Sequence, residues 1–280
     1  MKIAAIGDIH GNHRALFSCL DYIEKNHIEH VLFLGDYITD CPGVRETLDM
    51  IYDAKKRFNT YFIRGNREEY MLDYDKKQNK DWTYGSKNGS LLYTYERLTR
   101  EDLAFFESLP NCKRLSIDGL PDIEMCHGSF RQSRCMAFPD HPDLDLLFED
   151  MKTELLFCAH THTQFICKRG NKTVVNGGAA GVPTHGSTDA EMITVEYRNG
   201  SFYPELVKLK YDFTALEKDF FTSGFYEKAN VWARAVLATL KDAYPYTLDC
   251  IALVSEYAKE SGLAETDESL WEKAAQKLGI

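Results

Sequence analysis

Long apolar runs are what this chain lacks first. No stretch approaches the roughly 20 apolar residues of a membrane span, and the N-terminal MKIAAIGDIH reaches acidic and histidine residues well short of a secretory h-region. Paired cysteine spacing is missing as well. The eight cysteines are scattered without a CxxC, several inside apolar runs such as LLFCAH, so a structural zinc or dithiol redox protein is excluded and buried, reduced thiols are expected. These two absences make a cytoplasmic protein the expectation. Positive charge is also in short supply: 33 Lys and Arg face 43 Asp and Glu, for a net charge of -10 and a pI near 5.4. The long-range field of such a chain repels polyanions, which argues against general nucleic-acid binding and against an anionic membrane surface. A small, locally compensated phosphate site remains compatible with it. Neither low-complexity segments nor internal repeats occur beyond the rhythm described next.

What is present is enough to build a substantial core, since 280 residues at 44% hydrophobic suit one large or two modest domains. KIAAIG is a short continuous apolar run, as expected for a strand buried on both faces, and it ends in Gly-Asp. HRALFSCLDYIEKN then shows helical spacing of Ala15, Leu16, Cys19, Leu20 and Ile23. HVLFLGD and TYFIRGN repeat the strand followed by a glycine turn, with the amphipathic VRETLDMIYDAKKR between them. Strand, loop and helix repeated in this way predict βαβ units and a mostly parallel sheet. Polar residues just beyond each strand then converge at one edge, where open α/β sheets bind ligands.

Leu72 to Pro110 breaks the rhythm with YDKKQNKDWTYGSKNGS and the helix-like LLYTYERL and EDLAFFESL. It reads as an insertion, for which a lid or a contact in a homodimer are the roles considered. From Cys112 onward the runs RLSI, DIEMCHG, ELLFCAHTH, QFICK, TVVNGG, EMITVEY and SFYPELVKL predict antiparallel strands with tight turns, such as RNGS before Phe202. After Tyr211 helix formers dominate, with amphipathic stretches at Ala215 to Phe221, Tyr226 to Lys241, Leu248 to Lys259 and Ser269 to Leu278. The expected organisation is a domain over residues 1–210, with its insertion at about 72–110, and a helical extension over 211–280.

The polar residues that follow strand-like runs form a set: Asp8 and His10 in GDIHGN, Asp36 in LGDY, Asn66 in RGNRE, His127 in MCHGS, and His160 with His162 in CAHTH. Imidazoles, carboxylates and an amide oxygen without thiolates suit manganese, iron or zinc. The set is too large for one ion and fits two, about 3.5 to 4 Å apart, sharing a carboxylate. Alternation along an extended His-x-His segment would point both rings to one side. Each fragment alone is weak, because Asp-x-His after a strand is more often a turn or cap; the joint order carries the reading.

In that order the blocks DIH, GD, GNRE, CHG and AHTH resemble those of the calcineurin-like metallophosphoesterases, in particular small bacterial members, over roughly residues 1 to 200. The resemblance implies a four-layer α/β/β/α sandwich and two divalent or trivalent metal ions, manganese first, with iron or zinc as alternatives. One ion would take Asp8, His10 and His162, the other Asn66, His127 and His160, with Asp36 bridging. The implied activity is hydrolysis of a phosphomonoester or phosphodiester, in a phosphorylated small molecule or nucleotide, by a metal-bridging hydroxide. The alternative is a binding scaffold on the same fold with weak or no catalysis, against which stand metal-competent side chains at every expected ligand position.

Two departures from the family pattern matter. Ala159 replaces a glycine in AHTH, and Arg67 in GNRE replaces the histidine thought to protonate the leaving oxygen. Arginine keeps its charge, with a pKa above about 12, so it cannot serve as that acid. It can grip a phosphate through parallel hydrogen bonds, or simply pair with Glu68, Glu69 or another carboxylate on the helix surface. Loss of the donor favours substrates with good leaving groups. Among the remaining histidines, His185 in NGGAAGVPTHG, which resembles the family's glycine-rich loop, is the candidate substitute donor; His13 reads as a solvated or capping residue. Asp40 and Arg45 fall where relatives carry residues around the phosphate, but Asp40 can equally cap the Pro42-Gly43 turn, and neither is counted in the site.

Overall fold

Apolar runs in the first third of the chain become strands, two of them, at Lys2–Ile6 and His30–Phe33, buried beyond their first residue. The computed structural model describes residues 1–78 and 80–280; Asn79, within the expected insertion, lies outside them. β1 (Lys2–Ile6), β2 (His30–Phe33) and β3 (Asn59–Phe62) pair in parallel, joined by α1 (His13–Lys25) and α2 (Val44–Arg57). α1 buries Ala15, Leu16, Cys19, Leu20 and Ile23, the face its spacing predicts, and Asn12 caps it by accepting from the Ala15 N–H at 3.1 Å. α3 (Asn66–Lys76), α4 (Gly89–Tyr95) and α5 (Arg100–Ser108) follow.

β4 (Cys112–Leu115), β5 (Ile123–Cys126), α6 (Pro142–Asp150), β6 (Leu155–Cys158), β7 (Gln164–Arg169) and β8 (Lys172–Gly177) come next, and the second sheet has the order β4-β5-β6-β8-β7. Here the expectation of antiparallel strands is corrected. β5 and β8 both pair with β6 in parallel; only β4 on β5 and β7 on β8 are antiparallel. The physical reason is a crossover that strand-like runs do not reveal: α6, entered through Pro142, carries the chain back between β5 and β6. β9 (Ala190–Arg198) and β10 (Ser201–Leu209) form a hairpin on β1, turned at Asn199 and Gly200 with φ of 49 and 77, so the first sheet reads β10-β9-β1-β2-β3.

Period-two alternation then assigns each strand residue to a layer. Ile3, Ala5 and Leu32 face Met125, Leu155 and Phe157 between the two sheets. Ala4, Ile6, Val31 and Phe33 face Leu16, Ile23 and Leu48 of the outer helices, while Leu156 and Val174 face Leu144 and Leu147 of α6. The result is the four-layer α/β/β/α sandwich.

Five helices close the chain: α7 (Phe213–Thr222), α8 (Phe225–Ala229), α9 (Val231–Asp242), α10 (Tyr246–Ser261) and α11 (Glu268–Leu278). The single amphipathic stretch expected over Tyr226 to Lys241 is split at Asn230, whose φ is 46. Leu216, Phe220, Phe225 and Val236 join the same hydrophobic cluster as α1 and α2, and α9 to α11 add a cluster around Trp271. All eight cysteines are free. Among the described residues no helix is long and apolar enough to cross a membrane.

Candidate metal centre

The loops that follow β1, β2, β3, β5 and β6 open along one edge of the sandwich and carry all seven metal-competent side chains. Two groups form there: Asp8, His10 and His162, and Asp36, His127 and His160, the donor atoms within each lying inside 4.8 Å of one another. Asn66 joins the second group with Oδ1 at 3.3 Å from His127 Nε2. Asp36 lies between them, Oδ1 at 3.5 Å from His127 Nε2 and Oδ2 at 3.8 Å from His10 Nε2.

Second partners fix which nitrogen each ring turns inward. His127 Nδ1 donates to the Leu34 carbonyl at 2.7 Å and His162 Nδ1 to that of Val182 at 2.6 Å, while His10 Nδ1 lies 2.9 Å from Asp40 Oδ2. A carbonyl or carboxylate only accepts, so each Nδ1 carries hydrogen and each ring turns Nε2 into the site, as the atom that a metal ion or a proton can occupy. His10 Nε2 and His162 Nε2 then meet at 3.0 Å, and His127 Nε2 meets the oxygen of Asn66. Acceptor against acceptor at such distances repels unless a cation sits between. The buried Asp8 Oδ1 has no hydrogen-bond donor either. The donor set therefore fits two cations.

The charge balance agrees. Burial would push the Asp8 and Asp36 carboxyls up, but His162 beside the first and His127 beside the second hold both below the usual carboxylate range. Burial would pull the His127 imidazole down, yet Asp36 and Asp8 drive it up to about 10. Positive charge is thus demanded at the nitrogen that faces Asn66. His160 is pushed down to about 4, first by burial and then by the neighbouring His127.

Backbone conformation contributes to the arrangement. Asp8, His10, Asp36, His160 and His162 have φ between 50 and 70, a left-handed region unusual for such residues. Strain of this sort costs of order 1–3 kcal/mol per residue and collects at functional sites. It also corrects one expectation: His160 and His162 do not alternate along an extended strand, but turn through left-handed conformations beyond β6 and serve different groups.

Glu68, which the alternative reading of Arg67 placed on the helix surface, is fully buried. It accepts from the N–H groups of Asp36, Tyr37 and Gly65 at 2.9, 2.8 and 2.8 Å, tying the loops after β2 and β3 together. Burial and the nearby Asp36 raise its carboxyl to about 7. A Cβ at Gly65 would collide with Asp36 Oδ1, so only glycine lets these loops close. Glu69 accepts from the Ser133 hydroxyl at 2.6 Å.

Arg67 thus pairs with neither glutamate. Its Nη2 lies 2.9 Å from Asp40 Oδ2, and its buried Nε lies 3.9 Å from Asp36 Oδ2, with no hydrogen-bond partner among the described residues. It lines a cleft of two lobes beside the ligands. His185 is exposed and lines the smaller lobe with His162 and Val182. His13 stands apart, 3.7 Å from Asp219.

Asp40, left out of the sequence-based set, joins the parts. It is buried, faces His10 and Arg67, and accepts from the Trp232 indole at 2.8 Å. Burial would raise its carboxyl, but Arg67 and His10 hold it well below the ordinary range. Nothing local distinguished it from a turn cap, and Trp232 lies 192 residues away. Arg45, also left out, pairs with Asp49 and Asp102.

Comparison with known proteins follows this geometry. A family model described as the calcineurin-like phosphoesterase superfamily domain matches residues 1–200. An uncharacterized protein of Methanocaldococcus jannaschii is 28% identical over 234 residues, covering 75% of this chain and 88% of the relative. The crystal structure of a hypothetical protein from Pyrococcus horikoshii aligns with a TM-score of 0.71 at 22% identity, over 85% of this chain and 97% of the other. A metallophosphoesterase from Sphaerobacter thermophilus aligns with a TM-score of 0.69 at 20% identity, over 87% of this chain and 100% of the other.

Proposed function

This chain belongs to the calcineurin-like phosphoesterase superfamily, and on that premise we propose that it hydrolyses a phosphoester with two divalent or trivalent ions, manganese first, with iron or zinc as alternatives. The observation that carries the reading is the convergence of lone pairs: His10 on His162, His127 on Asn66, and Asp36 between. Asp8, His10 and His162 would hold one ion, Asn66, His127 and His160 would hold the other, and Asp36 would serve both. When bound, the ions supply a water acidic enough to attack phosphorus near neutral pH and offset charge on the phosphoryl oxygens.

The rest belongs to the chain's own side chains. Asp40 keeps the His10 hydrogen on Nδ1 and so keeps Nε2 free. Arg67 offers its Nε, which makes no hydrogen bond among the described residues, to a phosphoryl oxygen and cannot release a proton. His185, on the smaller lobe, is the imidazole we assign to the leaving oxygen. Phosphodiesters with good leaving groups are the favoured substrates, because they need that proton least.

The test is turnover of a nitrophenyl phosphodiester and the matching monoester by manganese-reconstituted protein, with Asp36→Asn as background. Preference for the diester, abolished by Asp36→Asn, is the expected result. Wild-type turnover no higher than that background removes the phosphoesterase reading. The His185→Ala variant is expected to lose more turnover on a diester with a poor leaving group than on the nitrophenyl diester, because only the former depends on leaving-group protonation; an equal loss on both excludes His185.

A further inference from the structure

Beyond the metal edge the cleft continues into a second lobe of about 350 Å³, which shares Asp40, Asn66, Arg67, His160 and Trp232 with the first. A phosphoryl group seated at the ligands therefore opens directly onto it. The family match ends at residue 200, yet Trp232, Val254 and Trp271 of α9 to α11 line this lobe. Helices beyond the family match therefore shape it.

Two kinds of surface meet there. The first is aromatic. Trp232 and Trp271 pack edge to face with centroids 6.4 Å apart, and their indole N–H groups are committed to Asp40 and to the Glu265 carbonyl. Trp271 is buried and backs Trp232, so what a ligand meets is the ring surface of the half-buried Trp232 and Tyr70. The second is cationic. The Arg134 guanidinium lies 5.5 Å from the Tyr70 ring centre, is exposed, and enters no ion pair among the described residues. Asn88 also lines the lobe, and its side chain makes no capping bond to α4. Rings to stack on, an unpaired guanidinium and an amide together match a base and a phosphate.

We propose that this lobe receives a nucleotide as the leaving part of the substrate, so that the substrate is a nucleotide anhydride. The base lies against Tyr70 and Trp232, Asn88 meets its polar edge, and Arg134 holds the nucleotide's own phosphate. In the reaction the oxygen of water adds to the phosphorus at the ligands, and the P–O bond on the nucleotide side breaks. A nucleoside monophosphate leaves with the bonding electron pair, and the protons of the water end on the released oxygens and in solvent, without help from His185, which lines the smaller lobe and not this one. The inference rests on the phosphoesterase reading for the place of the reacting phosphorus, but the lobe's affinity is measurable without turnover.

The experiment titrates manganese-loaded protein with AMP, adenosine and ribose 5-phosphate, following tryptophan fluorescence, in the wild type and in Arg134→Ala. Arg134 is exposed and unpaired, so the variant is expected to fold, which its thermal transition checks. AMP should bind more tightly than either fragment by about tenfold or more, and Arg134→Ala should weaken AMP by about tenfold, the scale of one charge-assisted contact. Equal affinity for AMP in both proteins, ribose 5-phosphate binding as tightly as AMP, or no saturation by AMP overturns the proposal. Turnover of the nitrophenyl diester is measured on the same samples. Turnover without Arg134-dependent AMP binding sinks the lobe and keeps the phosphoesterase; AMP binding without turnover does the reverse.

Discussion

Asp40 occupies a position where one carboxylate answers to five groups: the His10 imidazole, the Arg67 guanidinium, the Thr39 and Ser90 hydroxyls and the Trp232 indole. Its effect on the metal site is indirect, through the tautomer and aim of His10. Partners of this type usually contribute ten- to a hundredfold to metal affinity. Asp40→Asn should therefore weaken manganese binding by about that range in calorimetric titration, while the fold survives; unchanged affinity would show that His10 is oriented by the backbone alone. Arg67→Ala should lower kcat/KM for the diester by about a hundredfold, the scale of losing one positioned charge donor. Lysine at that position should recover only part, since a point charge cannot hold Asp40 and a phosphoryl oxygen together.

At the level of elements, the stretch after α3 is fastened by two acids, the buried Asp102 and the half-buried Glu268. Asp102 caps α5, accepting from the Thr99 N–H at 2.7 Å and the Tyr52 hydroxyl at 2.6 Å, and it pairs with Arg45. Burial would raise its carboxyl, but these donors hold it below the ordinary value of 3.8. The sign follows: the folded state prefers the carboxylate, so its stabilisation is complete above the unfolded value and is lost as pH falls through the lower folded one. Asp102→Asn should cost about 1–3 kcal/mol at pH 7, and the gap from wild type should narrow in thermal unfolding below about pH 4. Glu268 makes the other fastening. It accepts from the Ser86 N–H and hydroxyl at 2.7 and 2.6 Å and from the Asn230 amide at 2.7 Å, so the segment before α4 is stitched to α9 and α11.

Over the whole molecule, the C-terminal helices do more than decorate the sandwich. Phe220 and Phe225 are fully buried in the cluster that also holds Leu16, and Phe225 packs edge to face on Tyr93 at 4.9 Å. Losing one such phenylalanine typically costs about 3–5 kcal/mol, against a total stability of about 5–15. A chain ending at Lys210 is therefore expected to be insoluble or molten, with dye binding and no cooperative thermal transition. A sharp transition in that fragment would show instead that residues 1–210 stand alone. Metal acts at the same scale: ions bound only by the folded state add about 2.7 kcal/mol at a hundred times their dissociation constant. Chelation should lower Tm by several degrees, and manganese should restore it.

The sequence by itself determined which atoms could meet a metal and roughly where the chain would present them. Residue type carries ligand chemistry, and apolar periodicity marked β1, α1, β2, α2 and β3, so Asp8, His10, Asp36 and Asn66 were legible at strand ends. Both the parallel pairing of β6 and the left-handed turns at His160 and His162 were not, because α6 and the metal edge impose them from outside the local pattern. Tertiary structure alone decided that Glu68 turns inward, that Arg67 meets Asp40, and that Trp232 closes the cleft across 192 residues. Local spacing records how a segment buries its own apolar face. Which distant segment it meets is settled by packing and by the pairing of buried polar groups, and these exist only once the chain has closed on itself.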